Sequence, residues 1–501
     1  MTAKTAPMKL LAKSPLAASA LMTALLLVAA TGAVAGTQAS RCSDRLPSAA
    51  IPAGEGARLA ELHYDCVILA NDRALWVGQG GQSGGDAVLL VHGLGNNAHR
   101  DWRNVVPQLV AQRFRVIAID LPGFGASQAP ADAYSFVDLA ATLNEVLQHL
   151  QVEKAHVVGH SLGGALSLYF AWAYPQSVDR LVLVDVAGIL QQAVYVRYLA
   201  RLDTRGASGL GSALKSGLNG LGLHLQRKLE RGFDFSAWLA ANPDIRNSLL
   251  GERTQIDAAI TLAQENFTTA IRETRLPVTL IWGRDDPIAP LRTGLLLAAR
   301  LPNARLHVID DGGHVPMNAA PEQFNESLTD ALLAPLPQPL APIPSAESHG
   351  DLVCKGKANV RYTGHFNSLR LSNCANIRIE DAEIGRLQID KSTAELYNVK
   401  VANDAVAFIA RGSTVTGTAV SLQGAIAIRA DNSELDLAGA SLRASRRAVH
   451  LSSSARIYFS VSDIQAPDYT GDAHGIWTRD TVRQLAKPRS IAGREIAGNA
   501  H

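Results

Sequence analysis

The run Val157-Val158-Gly159-His160-Ser161-Leu162-Gly163-Gly164 constrains this chain more than any other stretch. A short β-branched segment meets a Gly-x-Ser-x-Gly pentad, and an apolar, Ala-rich segment with helical character follows. A serine on so sharp a strand-to-helix turn is pushed out above a sheet, where a base can reach its hydroxyl. Gly159 and Gly163 are required there because side chains would clash in the turn. The pentad also recurs by chance, so its weight depends on whether the chain supplies a base, an acid and oxyanion donors in a compatible order.

The surrounding text is consistent with such a turn. Apolar runs at Ala87–Val91, Val116–Ile119, His156–Val158, Leu181–Val184, Val278–Trp282 and Leu306–Ile309 read as buried strands. Between several of them lie helical patterns, such as Leu139, Leu143, Val146, Leu147 and Leu150. Strands alternating with helices imply a mostly parallel sheet covered on both faces, an α/β fold. From about 188 to 274 no strand pattern occurs, and an excursion of that length after the strand that follows the nucleophile turn reads as a helical lid. Its Leu199, Leu202, Leu221, Leu223, Phe233, Phe235, Trp238 and Leu239 point to an apolar acyl or aryl substrate group.

Pro335, Pro337, Pro339, Pro342 and Pro344 force an extended linker over 334–350. Beyond it helical periodicity gives way to a repeating frame. Leu369-Arg370-Leu371 precedes Cys374, Leu387-Gln388-Ile389 precedes Ser392, and Phe408-Ile409-Ala410 precedes Ser413. Ile428-Arg429-Ala430 then precedes Ser433, and Val449-His450-Leu451 precedes Ser454. The markers lie 18, 21, 20 and 21 residues apart. Two short strands and two turns per repeat describe coils of a small all-β parallel β-helix over 351–480, each burying its apolar face on the next; a β-sandwich is the rival. Residues 481–501 read as an irregular tail.

The chain of 501 residues opens with a basic n-region (Lys4, Lys9, Lys13), an uncharged stretch from Leu16 to Ala35, and Ala33-Val34-Ala35 as a small-residue cleavage site. Residues 1–35 therefore read as a signal peptide, followed by a segment at 36–59. The protein is expected to be periplasmic or secreted; an uncleaved anchor at 16–35 is the alternative. In an oxidising compartment an even count of four cysteines favours disulfides, and local pairing gives Cys42–Cys66 and Cys354–Cys374. Net charge is only +2, without charge blocks, so no nucleic-acid partner is expected. No Cys or His spacing argues for a metal.

Four stretches offer the remaining catalytic parts. In His92-Gly93-Leu94-Gly95-Asn96-Asn97 the glycines let the Leu94 amide turn toward a substrate oxygen, and the Leu162 amide supplies a second oxyanion donor. Asp120-Leu121-Pro122-Gly123-Phe124-Gly125 reads as a structural turn. Gly283-Arg284-Asp285-Asp286-Pro287 carries two adjacent acids of which only one can face a histidine, and Asp185 is a further candidate; spacing alone leaves the three open. Asp310-Asp311-Gly312-Gly313-His314 frees a loop that can swing His314 over the sheet. His92 and His160 read as local loop formers. The order Ser161, Asp286, His314 fits the chain order of this architecture.

Together these motifs over about 60–333 resemble the α/β-hydrolase superfamily. His92–Gly95 resembles its oxyanion loop, Asp120–Gly125 its Asp-x-Pro-Gly-x-Gly turn and Gly159–Gly163 its nucleophile elbow. The family's Gly-x-x-Asp-x-x-x-Pro pattern falls on Gly283, Asp286 and Pro290, which favours Asp286 over Asp285, and Gly313-His314 resembles the base loop. The resemblance implies cleavage of an ester or related acyl bond on a small-molecule substrate through an acyl-serine, without a cofactor. Ser161 departs from the aspartate-using dehalogenases and epoxide hydrolases. Carbon–carbon bond hydrolases share the serine, but Asn96-Asn97 replaces the Gly-Pro they often carry. A rival of another class is an envelope scaffold whose β-helix contacts a glycan or a protein. A polysaccharide lyase on the β-helix is weaker, since Asp381, Glu383 and Asp390 form no recognisable cluster.

Overall fold

A computed structural model describes residues 59–94, 97–130, 134–190, 254–334, 348–452 and 454–485. The expected signal peptide, nearly all of the 36–59 segment with Cys42, the lid's 191–253, linker residues 335–347 and tail residues 486–501 lie outside the described residues.

The first unit is an eight-stranded sheet in the order β1-β2-β4-β3-β5-β6-β7-β8. Its strands are β1 (Leu62–Ile68), β2 (Ala74–Gly81), β3 (Ala87–Val91), β4 (Arg115–Ile119), β5 (Ala155–His160), β6 (Val178–Val184), β7 (Val278–Gly283) and β8 (Ala304–Ile309). The six expected strands are all present and parallel to one another. The β1–β2 hairpin is an addition, and β2 joins β4 antiparallel.

Successive side chains of a strand face opposite sides of a sheet, and the core divides accordingly. Leu89, Val91, Ile117, Ile119 and Val157 pack on one face. There they meet α3 (Phe136–His149), α4 (Leu162–Ala173) and α7 (Leu291–Arg300). Val88, Leu90, Val116, Ala118 and Val158 pack on the other, against α1 (Ala98–Trp102), α2 (Val106–Ala111) and α9 (Pro321–Leu333). The short α8 (Pro316–Ala319) precedes α9. The described part of the lid interval contributes α5 (Thr254–Gln264) and α6 (Thr268–Glu273) and no strand.

The second unit coils through β9 (Asp351–Lys355), β10 (Arg361–Phe366), β11 (Ser368–Ser372), β12 (Ile377–Ile384), β13 (Leu387–Asp390), β14 (Thr393–Ala402), β15 (Val406–Arg411), β16 (Thr414–Thr418), β17 (Ser421–Asp431), β18 (Glu434–Ala438), β19 (Ser441–Ser452), β20 (Arg456–Ala466) and β21 (Tyr469–Thr478). Successive strands alternate between two parallel ladders, β10-β12-β14-β16-β18-β20 and β9-β11-β13-β15-β17-β19, which meet to close a ring. This is the stacking of a parallel β-helix. The repeating frame is its register: Leu369 pairs with Leu387, Leu387 with Phe408, Phe408 with Ile428 and Ile428 with Val449. The marker residues have a physical role as well. Ser392 Oγ accepts the Cys374 N–H (2.9 Å), Ser413 Oγ the Ser392 N–H (3.1 Å) and Ser433 Oγ the Ser413 N–H (3.1 Å), so each hydroxyl satisfies a buried turn amide of the neighbouring coil. Ser454 leaves that ladder and donates to Asn432 instead.

Cys354–Cys374 is formed and ties the first coil to the second. Cys66 is also disulfide-bonded, with its expected partner outside the described residues. Two boundaries shift. Ser348 already bridges to His365 in the first coil. The expected irregular tail begins instead with α10 (Arg479–Leu485), whose Val482 packs on the β-helix core and covers apolar surface that a last coil would otherwise expose.

The two units are docked. Ala438, Tyr458 and Val461 of the β-helix belong to the same apolar cluster as Leu296 and Leu297 of α7. Arg292 of α7 grips Asp436 bidentately (2.7 and 3.0 Å) and donates to Thr418 Oγ1 and to the Gly417 and Asp436 carbonyls. Arg300 reaches Asp463 at 2.7 Å.

Candidate active site

The backbone of β5 ends by forcing Ser161 to φ 52° and ψ −115°. A non-glycine residue is rarely found there, at a cost of about 1–3 kcal/mol. The surroundings enforce it: a side chain at Gly159 would run into Gly163 and Ser167, and one at Gly163 into the Val91 and His92 carbonyls. Ser161 N–H is committed to Val184 O (2.9 Å), so the hydroxyl is left at the head of α4.

His314 comes to it from the loop after β8. Gly313, at φ 55°, lies so close to Gly283 that a side chain on Gly283 would collide with its carbonyl. His314 Nε2 stands 3.0 Å from Ser161 Oγ and its Nδ1 2.8 Å from Asp286 Oδ2. Ionised Asp286 can only accept, so Nδ1 carries the hydrogen and Nε2 is free to accept the serine proton. Asp286 is itself fixed: Oδ1 accepts the Ile288 (2.7 Å) and Ala289 (2.9 Å) N–H groups, and Trp282 Nε1 anchors the loop on Ala289 O (2.8 Å).

The other two candidate acids do different things. Asp285 accepts the Gly313 N–H at 3.1 Å and so steadies the base loop. Asp185 is fully buried and accepts the Gly283 N–H at 2.9 Å. Burial, and then the charge of Asp286 beside it, hold the Asp185 carboxyl well above the usual carboxylate range.

Leu162 N lies at the start of α4 and Leu94 N on the loop after β3. Neither donates to an acceptor among the described residues, which leaves both amides available to a developing oxyanion. Gly93 holds that loop against the elbow, its Cα facing the His160 ring and Ser161 Cβ. His92 is a loop former: its Nε2 accepts the Leu121 N–H (2.9 Å), so Nδ1 bears the hydrogen and donates to Gly93 O (2.8 Å). Asp120 accepts from Ala98 N (2.8 Å) and Ala126 N (3.1 Å), as a structural turn requires.

Two further buried groups, Asp101 and His160, join the site. Asp101 on α1 accepts the Gly93 N–H at 2.8 Å and contacts His160 Nδ1 at 2.8 Å, and His160 Nε2 lies 2.7 Å from the His314 carbonyl. The sequence pattern marks His160 only as a local loop former, whereas its ring joins Asp101 to the base loop. Asp101 sits 59 residues away in the chain, and a lone acid before Trp102 gives no spacing signal by which to find it.

A largely parallel sheet, a serine on a strained strand-to-helix turn and a histidine–carboxylate pair from the loops after β8 and β7 define the α/β-hydrolase class. The sequence model of the alpha/beta hydrolase fold matches residues 86–317. An uncharacterized protein of Mycobacterium bovis is 32% identical over 259 residues, covering 48% of this chain and 73% of that protein. A 2-hydroxy-6-oxononadienedioate/2-hydroxy-6-oxononatrienedioate hydrolase of Paraburkholderia phymatum is 30% identical over 263 residues, covering 50% of this chain and 88% of its own. Among solved structures, an esterase from Exiguobacterium antarcticum aligns at 20% identity with a TM-score of 0.41, over 54% of this chain and 98% of that one. The chain belongs to the α/β-hydrolase family.

Proposed function

We propose that this protein is an exported serine hydrolase that cleaves an ester or related acyl bond through an acyl-Ser161 intermediate. The observation that carries the reading is the continuous Ser161–His314–Asp286 contact at 3.0 and 2.8 Å. His314 takes the Ser161 proton as Oγ attacks the acyl carbon, then returns it to the leaving group. Asp286 holds the ring in its Nδ1–H form and offsets the charge it acquires, and the Leu94 and Leu162 amides receive the oxyanion. Within this proposal the leader directs the chain to the periplasm or beyond. Faces of the β-helix not docked on α7 supply any contact with a glycan or protein.

A second reading, favoured by the name of the Paraburkholderia relative, is carbon–carbon bond hydrolysis of a 2-hydroxy-6-oxo-dienoate. The same serine and base would serve it. Assay of purified protein on p-nitrophenyl esters of graded chain length and on such dienoates separates the two. Turnover of esters with fluorophosphonate labelling of Ser161 is expected; turnover of dienoates alone would replace ester cleavage by the second reading. Absence of labelling in folded protein would sink both.

A further inference from the structure

His160 is the variable residue inside the nucleophile pentad, and nothing in the Ser161 mechanism uses it. Its surroundings are nevertheless specific. Nδ1 lies 2.8 Å from Asp101 Oδ2 and Nε2 lies 2.7 Å from the backbone carbonyl of His314. A carboxylate and a carbonyl both only accept, so both ring nitrogens must donate and the ring is an imidazolium. The His160 side chain is 2% exposed and that of Asp101 1%. This is a buried ion pair whose remaining valences go to the site. The same Asp101 oxygen accepts the Gly93 N–H at 2.8 Å, one residue before the Leu94 oxyanion donor.

We propose that Asp101 and His160 form a positioning pair that ties the oxyanion loop and the carbonyl of His314 to one buried charge centre, holding donor and base in register above Ser161. The inference rests on the Ser161–His314–Asp286 reading and goes beyond it. Three loops that converge on the hydroxyl come from the ends of β3, β5 and β8, and without a common anchor each could drift independently. Asp101 supplies that anchor from a fixed place, since the adjacent Trp102 is fully buried between α1 and the sheet. Gly93 permits it, because a side chain there would press on His160 Nδ1. The His160 and His314 rings lie 5.0 Å apart, so the cation would oppose protonation of His314 during turnover were it not neutralised by Asp101.

The charge state is consistent with this role. Burial works against a charged His160. The Asp101 carboxylate and its hydrogen bond, with the His314 carbonyl and the charge of Asp286, nonetheless hold the ring above its ordinary value. Burial likewise works against the Asp101 carboxylate, and the charge and hydrogen bond of His160, with the Gly93 N–H, hold it below its ordinary value. The ionisable groups around His160 are therefore Asp101 on α1, His92 after β3, Asp286 after β7 and His314 after β8.

The test compares wild type with His160→Gln and His160→Phe. Gln retains a donor but does not titrate, and Phe keeps the ring volume and donates nothing. A displacement of about 1 Å in a catalytic group costs on the order of 10²-fold. His160→Phe should accordingly lower kcat by about that factor with KM little changed, and His160→Gln should recover part of it. In wild type kcat should fall at alkaline pH as His160 loses its proton, and this limb should be missing from His160→Gln. The pH profile of His160→Gln decides the matter if the Phe variant does not fold: a wild-type kcat with an unchanged alkaline limb would overturn the pairing. Failure of the underlying reading is distinguishable, because it would appear as absent fluorophosphonate labelling in wild type itself.

Discussion

Asp185 offers a quantitative test of how the acid end of the site is built. Its carboxyl is fully buried, with Oδ1 accepting the Gly283 N–H at 2.9 Å and Oδ2 lacking a conventional partner beside Asp286. Burial and the Asp286 charge hold its pKa well above the ordinary range. The shift favours the protonated form of Asp185, which can satisfy its second oxygen by donating to Asp286. A carboxyl whose folded pKa is raised contributes its full stability below the unfolded value, about 3.9, and loses it as pH rises toward the folded one. Near pH 7 Asp185 is thus a liability that an amide of the same shape would remove. Asp185→Asn can still accept from Gly283 and donate to Asp286, and we expect it to stabilise the hydrolase unit at pH 7, where the carboxyl bears the cost of burial beside Asp286. The advantage should disappear toward pH 4. Asp185→Ala strands the Gly283 N–H without an acceptor and should cost about 1–3 kcal/mol. Denaturant unfolding followed by tryptophan fluorescence reads both, since Trp102 and Trp282 are buried in this unit. A destabilised Asp185→Asn protein at pH 7, or a difference from wild type that is the same at pH 4 and pH 7, would refute the protonated-carboxyl argument. The Asn variant should also keep its kcat, because His314 bonds Asp286 and not Asp185.

Asp286→Asn should show the opposite pattern, folding normally but losing about 10⁴-fold in kcat because the amide favours the wrong His314 tautomer; steady-state kinetics checks it. Arg292→Ala should destabilise the docked assembly by about 2–3 kcal/mol in denaturant melts. That is below the value for a fully buried pair because the two side chains remain 15% and 19% exposed. Arg292→Lys should not restore it, since one ammonium cannot replace the fork. Replacing Cys354 and Cys374 together by serine opens a link spanning 20 residues. This should cost about 3 kcal/mol in the unfolding of the β-helix while leaving hydrolytic activity unchanged.

The central strands were legible because a strand covered on both faces is an unbroken apolar run, as Ala87–Val91 is. The β1–β2 hairpin was not, because β1 is an edge strand in which exposed His63 and Asp65 interrupt Leu62, Tyr64 and Cys66 and leave no continuous apolar run. The β-helix frame could be read because stacked coils demand the same residue type at the same place, and the marker serines bond from coil to coil. Ser161, Asp286 and His314 stood out since each sits in a glycine-marked turn. Asp101 and His160 did not, because their pairing exists only once distant loops are brought together. Arg292 likewise reads as an ordinary helix-surface residue until Asp436 is packed against it.

In the proposed reaction Ser161 carries the acyl group. Rapid mixing with an activated ester, acid quench and intact-mass measurement followed by peptide mapping addresses it directly. A transient mass gain equal to the acyl group is expected on the peptide containing Ser161 and not in Ser161→Ala, with turnover reduced by at least ~10³-fold in that variant. Ester turnover at the wild-type rate by Ser161→Ala, or an acyl group on a different residue, would contradict it.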